Sequence, residues 1–96
     1  MAAKEFEWDE HKDAENQRKH RIGFAVAVDV IEDPHRLEED SNKPDHGEER
    51  KRVIGIVQGR MVTVIVTDRG GKTRIISARR ARDNERKRYD QSKKTP

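Results

Sequence analysis

Thr73–Tyr89 reads TRIISARRARDNERKRY, and the fold turns on how this stretch divides. Ile75, Ile76, Ser77 and Ala78 form a short run, led by two β-branched residues and brief enough for a buried strand. Beyond it the composition becomes helix-forming and cationic. Arg74, Arg79, Arg80, Arg82, Arg86, Lys87 and Arg88 all fall within the stretch. A strand running straight into a basic helix holds guanidinium groups beside a rigid sheet, which suits a polyanion. The same charges also fit a plain solvated helix face, so the rest of the chain has to decide.

The chain has 96 residues, room for one domain spanning 1–96. Apolar residues make up 30% and charged residues 43%, which is little core material, so a partner that covers apolar surface is expected. There is no cysteine, which excludes disulfides and thiolate metal sites. No apolar run approaches the ~20 residues of a membrane span, and MAAKEFEWDE is no signal peptide, so the expectation is a soluble cytoplasmic protein. Residues 1–49 hold 7 Lys/Arg against 15 Asp/Glu, and residues 50–96 hold 15 against 4. The net charge of +3 therefore conceals −8 on the first half and +11 on the second. The second half predicts a nucleic-acid face, and the first half pairs with it or repels polyanions.

Working outward, TRIISAR is the last strand of a meander. MVTVIVT, the most apolar run, is its central strand, and RVIGIV is its first. Gln58-Gly59-Arg60 and Asp68–Lys72 are the turns between them, Gly59 supplying a positive φ. A last helix runs from Asp83, which can cap it, to about Tyr89 or Gln91, and QSKKTP is a frayed tail. At the front, Lys4–Trp8 alternates charged and aromatic residues as a short edge strand with Phe6 and Trp8 inward. Asp9 caps a polar helix through HKDAENQRKH. Ile22-Gly23-Phe24 is a tight corner. AVAVDVI fits a strand by alternation or a helix with Phe24, Val28 and Ile31 on one face; Asp33-Pro34 at its end favours helix. His35–Glu49 is a long loop with a brief strand around Arg36–Glu38. The class is α+β: a short N-terminal strand, two helices, a three-to-four-stranded antiparallel sheet and a C-terminal helix.

Several pieces match a known family in order and spacing. They include Phe6-Glu7-Trp8-Asp9, Asn16 followed by Lys19-His20, Asp33-Pro34, Gly59-Arg60, Arg74-Ile75-Ile76-Ser77-Ala78-Arg79, and Glu85-Arg86 with Tyr89. On these residues the chain resembles the BrnT toxins of bacterial type II toxin–antitoxin pairs. Glu10 and Arg82 depart from the family pattern at two helix starts. The resemblance implies a RelE-like fold, RNA cleavage and growth arrest. It also implies a small BrnA-like antitoxin that caps the toxin and binds operator DNA within a higher-order toxin–antitoxin complex.

Metal-independent cleavage needs a base for the ribose 2′-OH, cations for the charge on phosphorus, and an acid for the leaving 5′-oxygen. Guanidinium suits the middle task because it forks two donors onto phosphate oxygens and stays charged. The resemblance places Arg79 at the end of the last strand, with Arg60 and Arg74 on the same sheet; Arg79 is the candidate phosphate clamp, although a plain salt bridge to the acidic half would also explain it. Alternation turns Arg79 away from Arg74 unless a bulge intervenes, so these groups cannot all share one site. His20, whose free imidazole titrates near ~6.5, is the acid/base candidate, with Lys19 beside it to hold phosphate; capping the first helix would equally explain His20. Arg80, Arg86 and Tyr89 are candidate RNA contacts, although Tyr89 also suits the core. Glu48, Glu49 and Glu85 are candidate bases, and Glu85 equally fits the first turn of the last helix. No His/Asp/Glu spacing suggests a metal site, and no cofactor is expected. With only four aromatic residues, stacking cannot dominate RNA affinity, and phosphate contacts should.

Two other readings compete with a ribonuclease toxin. One is a non-enzymatic nucleic-acid or antitoxin-binding module in operator autoregulation; the other is a structural subunit whose charged halves pair head to tail.

Overall fold

The computed structural model describes residues 5–41 and 49–94. β1 (Phe6–Glu7) is an edge strand, as expected, and Phe6 and Trp8 pack half-buried against the core. Asp9 then caps α1 (Glu10–His20): its Oδ1 accepts from the backbone N–H of His11 at 2.7 Å. The helix ends on Arg21, which takes the left-handed conformation at φ 58° and turns the chain. The corner expected at Ile22–Phe24 therefore begins one residue earlier.

α2 (Phe24–Ile31) confirms the helical reading. Its buried side is Phe24, Ala27, Val30 and Ile31, whereas Val28, expected on that side, is only half-buried. The stripe shifts because α2 lies very close to the sheet at Gly55. A Cβ there would sit 2.6 Å from the Val30 carbonyl oxygen. Gly55→Ala should force the helix outward and cost about 1–3 kcal/mol. The thermal midpoint should then fall by roughly 4–8 °C per kcal/mol, read by circular dichroism. An unchanged midpoint would contradict this packing.

The remaining elements are β2 (Leu37–Ser41), β3 (Arg50–Val57), β4 (Arg60–Arg69), β5 (Lys72–Arg80) and α3 (Asp83–Lys94). The sheet order is β1-β5-β4-β3-β2, with β1 parallel to β5 and the other pairs antiparallel. β4 is central, as predicted, but the sheet has five strands. β2 bears out the brief strand expected around Arg36–Glu38 and extends it to Ser41 into the expected loop, where it carries charges in place of the apolar alternation that would signal a strand. Its register sets Glu39 opposite Arg52 and Asp40 opposite Lys51, so opposite charges across the strands supply part of the pairing. Residues 42–48, and with them the candidate base Glu48, lie outside the described residues.

Two local details position functional side chains. Gln58 and Gly59 both have positive φ (51° and 76°) and form a two-residue turn, so Arg60 belongs to β4 and pairs with Val57. Between β4 and β5 the register slips: Ile65 faces Ser77 and Val66 faces Ile75, leaving Ile76 as an extra residue. α3 begins at Asp83, with Arg82 in the cap position, and runs to Lys94, so much of the expected frayed tail is helical.

The sheet separates two clusters. α1 and α2 lie over one face, where Phe24, Ala27, Val30 and Ile31 meet Val53, Val57, Val62, Val64, Val66, Ile75 and Ala78. Trp8 meets Phe24 edge-to-face, with ring centroids 6.2 Å apart. α3 lies over the other face, where Tyr89 packs on Ile54 and Met61. No helix among the described residues is long and apolar enough to cross a membrane.

Candidate active site

Because successive strand residues point to opposite faces, the register sorts every arginine. On the α3 face, Arg50 stands opposite Thr67, Arg52 opposite Ile65, and Arg79 opposite Thr63. The slip at Ile76 adds one step to β5, so Arg74, opposite Thr67, shares this face with Arg79. Strict alternation would have separated them. Arg60 and Arg80 point the other way, toward the end of α1.

Arg50, Arg52, Arg79 and Arg82 line a hollow of about 210 Å³ on the α3 face, with Ser41, Ile65, Ile76 and Ser77. Arg79 is held rigidly: its two terminal nitrogens donate to the two Glu85 oxygens at 2.8 and 2.9 Å. Glu85 is 3% exposed and also accepts from the Thr63 hydroxyl at 3.0 Å and the Arg82 N–H at 2.8 Å. Burial alone would raise its pKa, but the Arg79 guanidinium, the Arg82 N–H and the Thr63 hydroxyl outweigh that and lower it to about 2. With so low a pKa and both oxygens engaged, Glu85 is a poor base at neutral pH. It serves as the clamp that aims Arg79. Arg52 is more loosely partnered, its Nε lying 3.5 Å from Glu39, which Arg88 also engages at 2.6 Å. The Nε atoms of Arg50 and Arg52 are buried without a hydrogen-bond partner among the described residues.

Arg74, expected in the site, is instead tied to Glu7 at 2.6 Å, where β1 joins the sheet. Tyr89 is 1% exposed and donates its hydroxyl to Asp33 at 2.7 Å. Burial and the Asp33 carboxylate push its pKa up to about 12, so it is a core residue with no ring face free for a base. Asp33 also accepts from the Ile56 N–H at 2.9 Å and so ties α3 and β3 to the end of α2. Arg86 is exposed on α3. Lys19, His20 and Arg60 do come together, with Arg80, but in a second hollow on the other face.

A family model described as the ribonuclease toxin BrnT of type II toxin–antitoxin systems matches residues 8–85. The chain belongs to this family. The match runs from Trp8 through the Arg79–Glu85 clamp and stops before Arg86 and Tyr89. A search of curated proteins finds no match. BrnT membership brings with it an RNA target and a protein antitoxin as partner.

Sequence reasoning passed over two arginines of this BrnT chain, Arg50 and Arg52. A signal existed: Arg50-Lys51-Arg52 places two arginines at period 2 just before the apolar run of β3, hence on one face. Asn16 stands out in the sequence only as one of the residues matching the family, being otherwise one polar residue among many on α1.

Proposed function

We propose that this chain is an endoribonuclease whose scissile phosphodiester lies against Arg50, Arg52, Arg79 and Arg82. The observation that carries the reading is the convergence of four arginines on one hollow, with the Arg50 Nε buried without an acceptor among the described residues. A buried donor without a partner costs about 1–3 kcal/mol, and a phosphate oxygen removes that cost. In the reaction the 2′-oxygen bonds to phosphorus as its proton leaves, and the P–O5′ bond breaks as the 5′-oxygen takes up a proton. The products are a 2′,3′-cyclic phosphate and a 5′-hydroxyl end. Guanidinium groups already fixed around the phosphorus stabilise the charge that builds there without reorganising, and no metal ion is needed for that task. Arginine does not give up its proton at neutral pH, so the hollow supplies charge and orientation. The proton steps are supplied from outside it.

In this reading a BrnA-like antitoxin neutralises the toxin by covering the same hollow and carries the operator-DNA contact in a larger assembly. Arg50→Gln keeps a neutral donor near the Nε position and removes the charged outer fork. It should lower the cleavage rate about a hundredfold, the scale of losing one transition-state donor, with the melting midpoint nearly unchanged. The assay is release of labelled RNA fragments in EDTA. Intact RNA with the parent chain would reject the reading, and salt-sensitive binding without cleavage would favour the non-enzymatic module instead.

A further inference from the structure

The second hollow, on the face under α1 and α2, measures about 370 Å³ and is lined by Lys19, His20, Arg21, Ile22, Arg60, Val62 and Arg80. No carboxylate lines it. Among the described residues no ion pair engages Lys19, Arg21, Arg60 or Arg80, whereas Arg52, Arg74, Arg79 and Arg88 are all paired. The C-terminal dipole of α1 accounts for Lys19 and His20 near its last turn. It does not account for Arg60 and Arg80, which arrive from two different strands. Like charges gathered this way repel one another unless a polyanion bridges them.

We infer that this hollow is a second phosphate site, holding the same single-stranded RNA a few nucleotides from the scissile linkage. The inference rests on the proposed cleavage site and extends it. Arg79 and Arg80 are consecutive residues of β5 that face opposite sides of the sheet, so the two hollows meet at the end of one strand. β1 covers β5 only at Thr73 and Arg74, so among the described residues no strand lies outside Arg79 and Arg80. A continuous cationic path therefore runs from Arg82 and Arg79 around the strand end to Arg80 and Arg60. A flexible single strand follows so sharp a turn at far lower cost than a duplex, whose stiffness corresponds to a persistence length of ~150 base pairs for DNA. Ile22 and Val62 are buried beneath the hollow, and the surrounding cations take the phosphates.

The test uses a fluorescein-labelled 12-nucleotide RNA with every 2′-hydroxyl methylated, which binds without being cut. Anisotropy titrations across salt concentrations compare the parent chain with Arg60→Gln/Arg80→Gln and with Arg50→Gln/Arg52→Gln. Each double variant should make the plot of log affinity against log salt shallower by about 1.4, two contacts at about 0.7 each for a single strand. A three-nucleotide probe should lose affinity only with the Arg50/Arg52 variant. If Arg60→Gln/Arg80→Gln binds the 12-mer with the parent slope while Arg50→Gln/Arg52→Gln does not, the second site falls and the cleavage site stands. If only the Arg60/Arg80 variant changes, the cleavage site is misplaced and the continuous path falls with it. A glutamate decapeptide that binds as tightly as the 12-mer, with the same dependence on Arg60 and Arg80, overturns the assignment to RNA.

Discussion

Arg79→Ala should abolish cleavage and also destabilise the fold by about 3–5 kcal/mol, the cost of stranding a buried carboxylate. Glu85 is the stranded group: it is 3% exposed and takes both of its oxygens' strongest bonds from Arg79. Loss of activity in this variant alone would therefore not separate chemistry from unfolding. Arg79→Gln/Glu85→Gln leaves no charge buried. It should be more stable than Arg79→Ala by at least about 1 kcal/mol in urea unfolding while still failing to cut RNA. A double variant no more stable than the single one would sink the clamp.

The same pair sets an acid limit. Glu85 titrates at about 2 in the folded chain against an ordinary 4.5. A lowered folded pKa means that its stabilisation, about 3 kcal/mol, is complete above pH ~4.5 and lost as pH falls toward ~2. The parent chain should lose stability across that window. Glu85→Gln should lose distinctly less there, which acid titration of the urea midpoint would reveal.

Asn16→Ala should cost about 3 kcal/mol or more. Asn16 is buried on an otherwise polar helix, and its side chain does the work of a missing strand neighbour. Its Nδ2 donates to the carbonyls of Ile22 and Ala78, both at 2.8 Å, and its Oδ1 accepts the Ala78 N–H at 3.1 Å. This joins α1, the α1–α2 corner and the open edge of β5 just before Arg79. Removing it leaves three buried backbone groups unpaired, each worth about 1–3 kcal/mol. Asn16→Leu fills the space but restores none of those bonds, so it should be destabilised similarly. The amide of Ala78 should exchange with solvent much faster in both variants, and unchanged exchange would refute the role given to Asn16.

Much of this fold was legible because its signals are local. Asp9 capping α1, Asp33-Pro34 closing α2, the apolar run of β4 and the turn with positive φ at Gly59 depend on a few adjacent residues. β2 was legible only as a brief strand around Arg36–Glu38, because the rest of its pairing comes from charges on a strand that lies 13 residues away at Glu39–Arg52. The site was harder to read for the same reason. Arg79 was recognisable from its neighbours, but its bond to Glu85 leaves Arg50, not singled out as a site residue in the sequence, as the arginine of the hollow without a side-chain partner among the described residues.

By itself the sequence determined the order of strands and helices, the caps and turns, the basic second half and the kinship with a ribonuclease family. All of these are written in short-range patterns or in matched residues. Only the tertiary structure decided which arginines stand together. Facing depends on register accumulated along a strand, and the single extra residue at Ile76 brings Arg74 onto Arg79's face. The crossing of β5 between two helical layers then splits Arg79 from Arg80, and the candidate residues divide between hollows on opposite sides of a sheet.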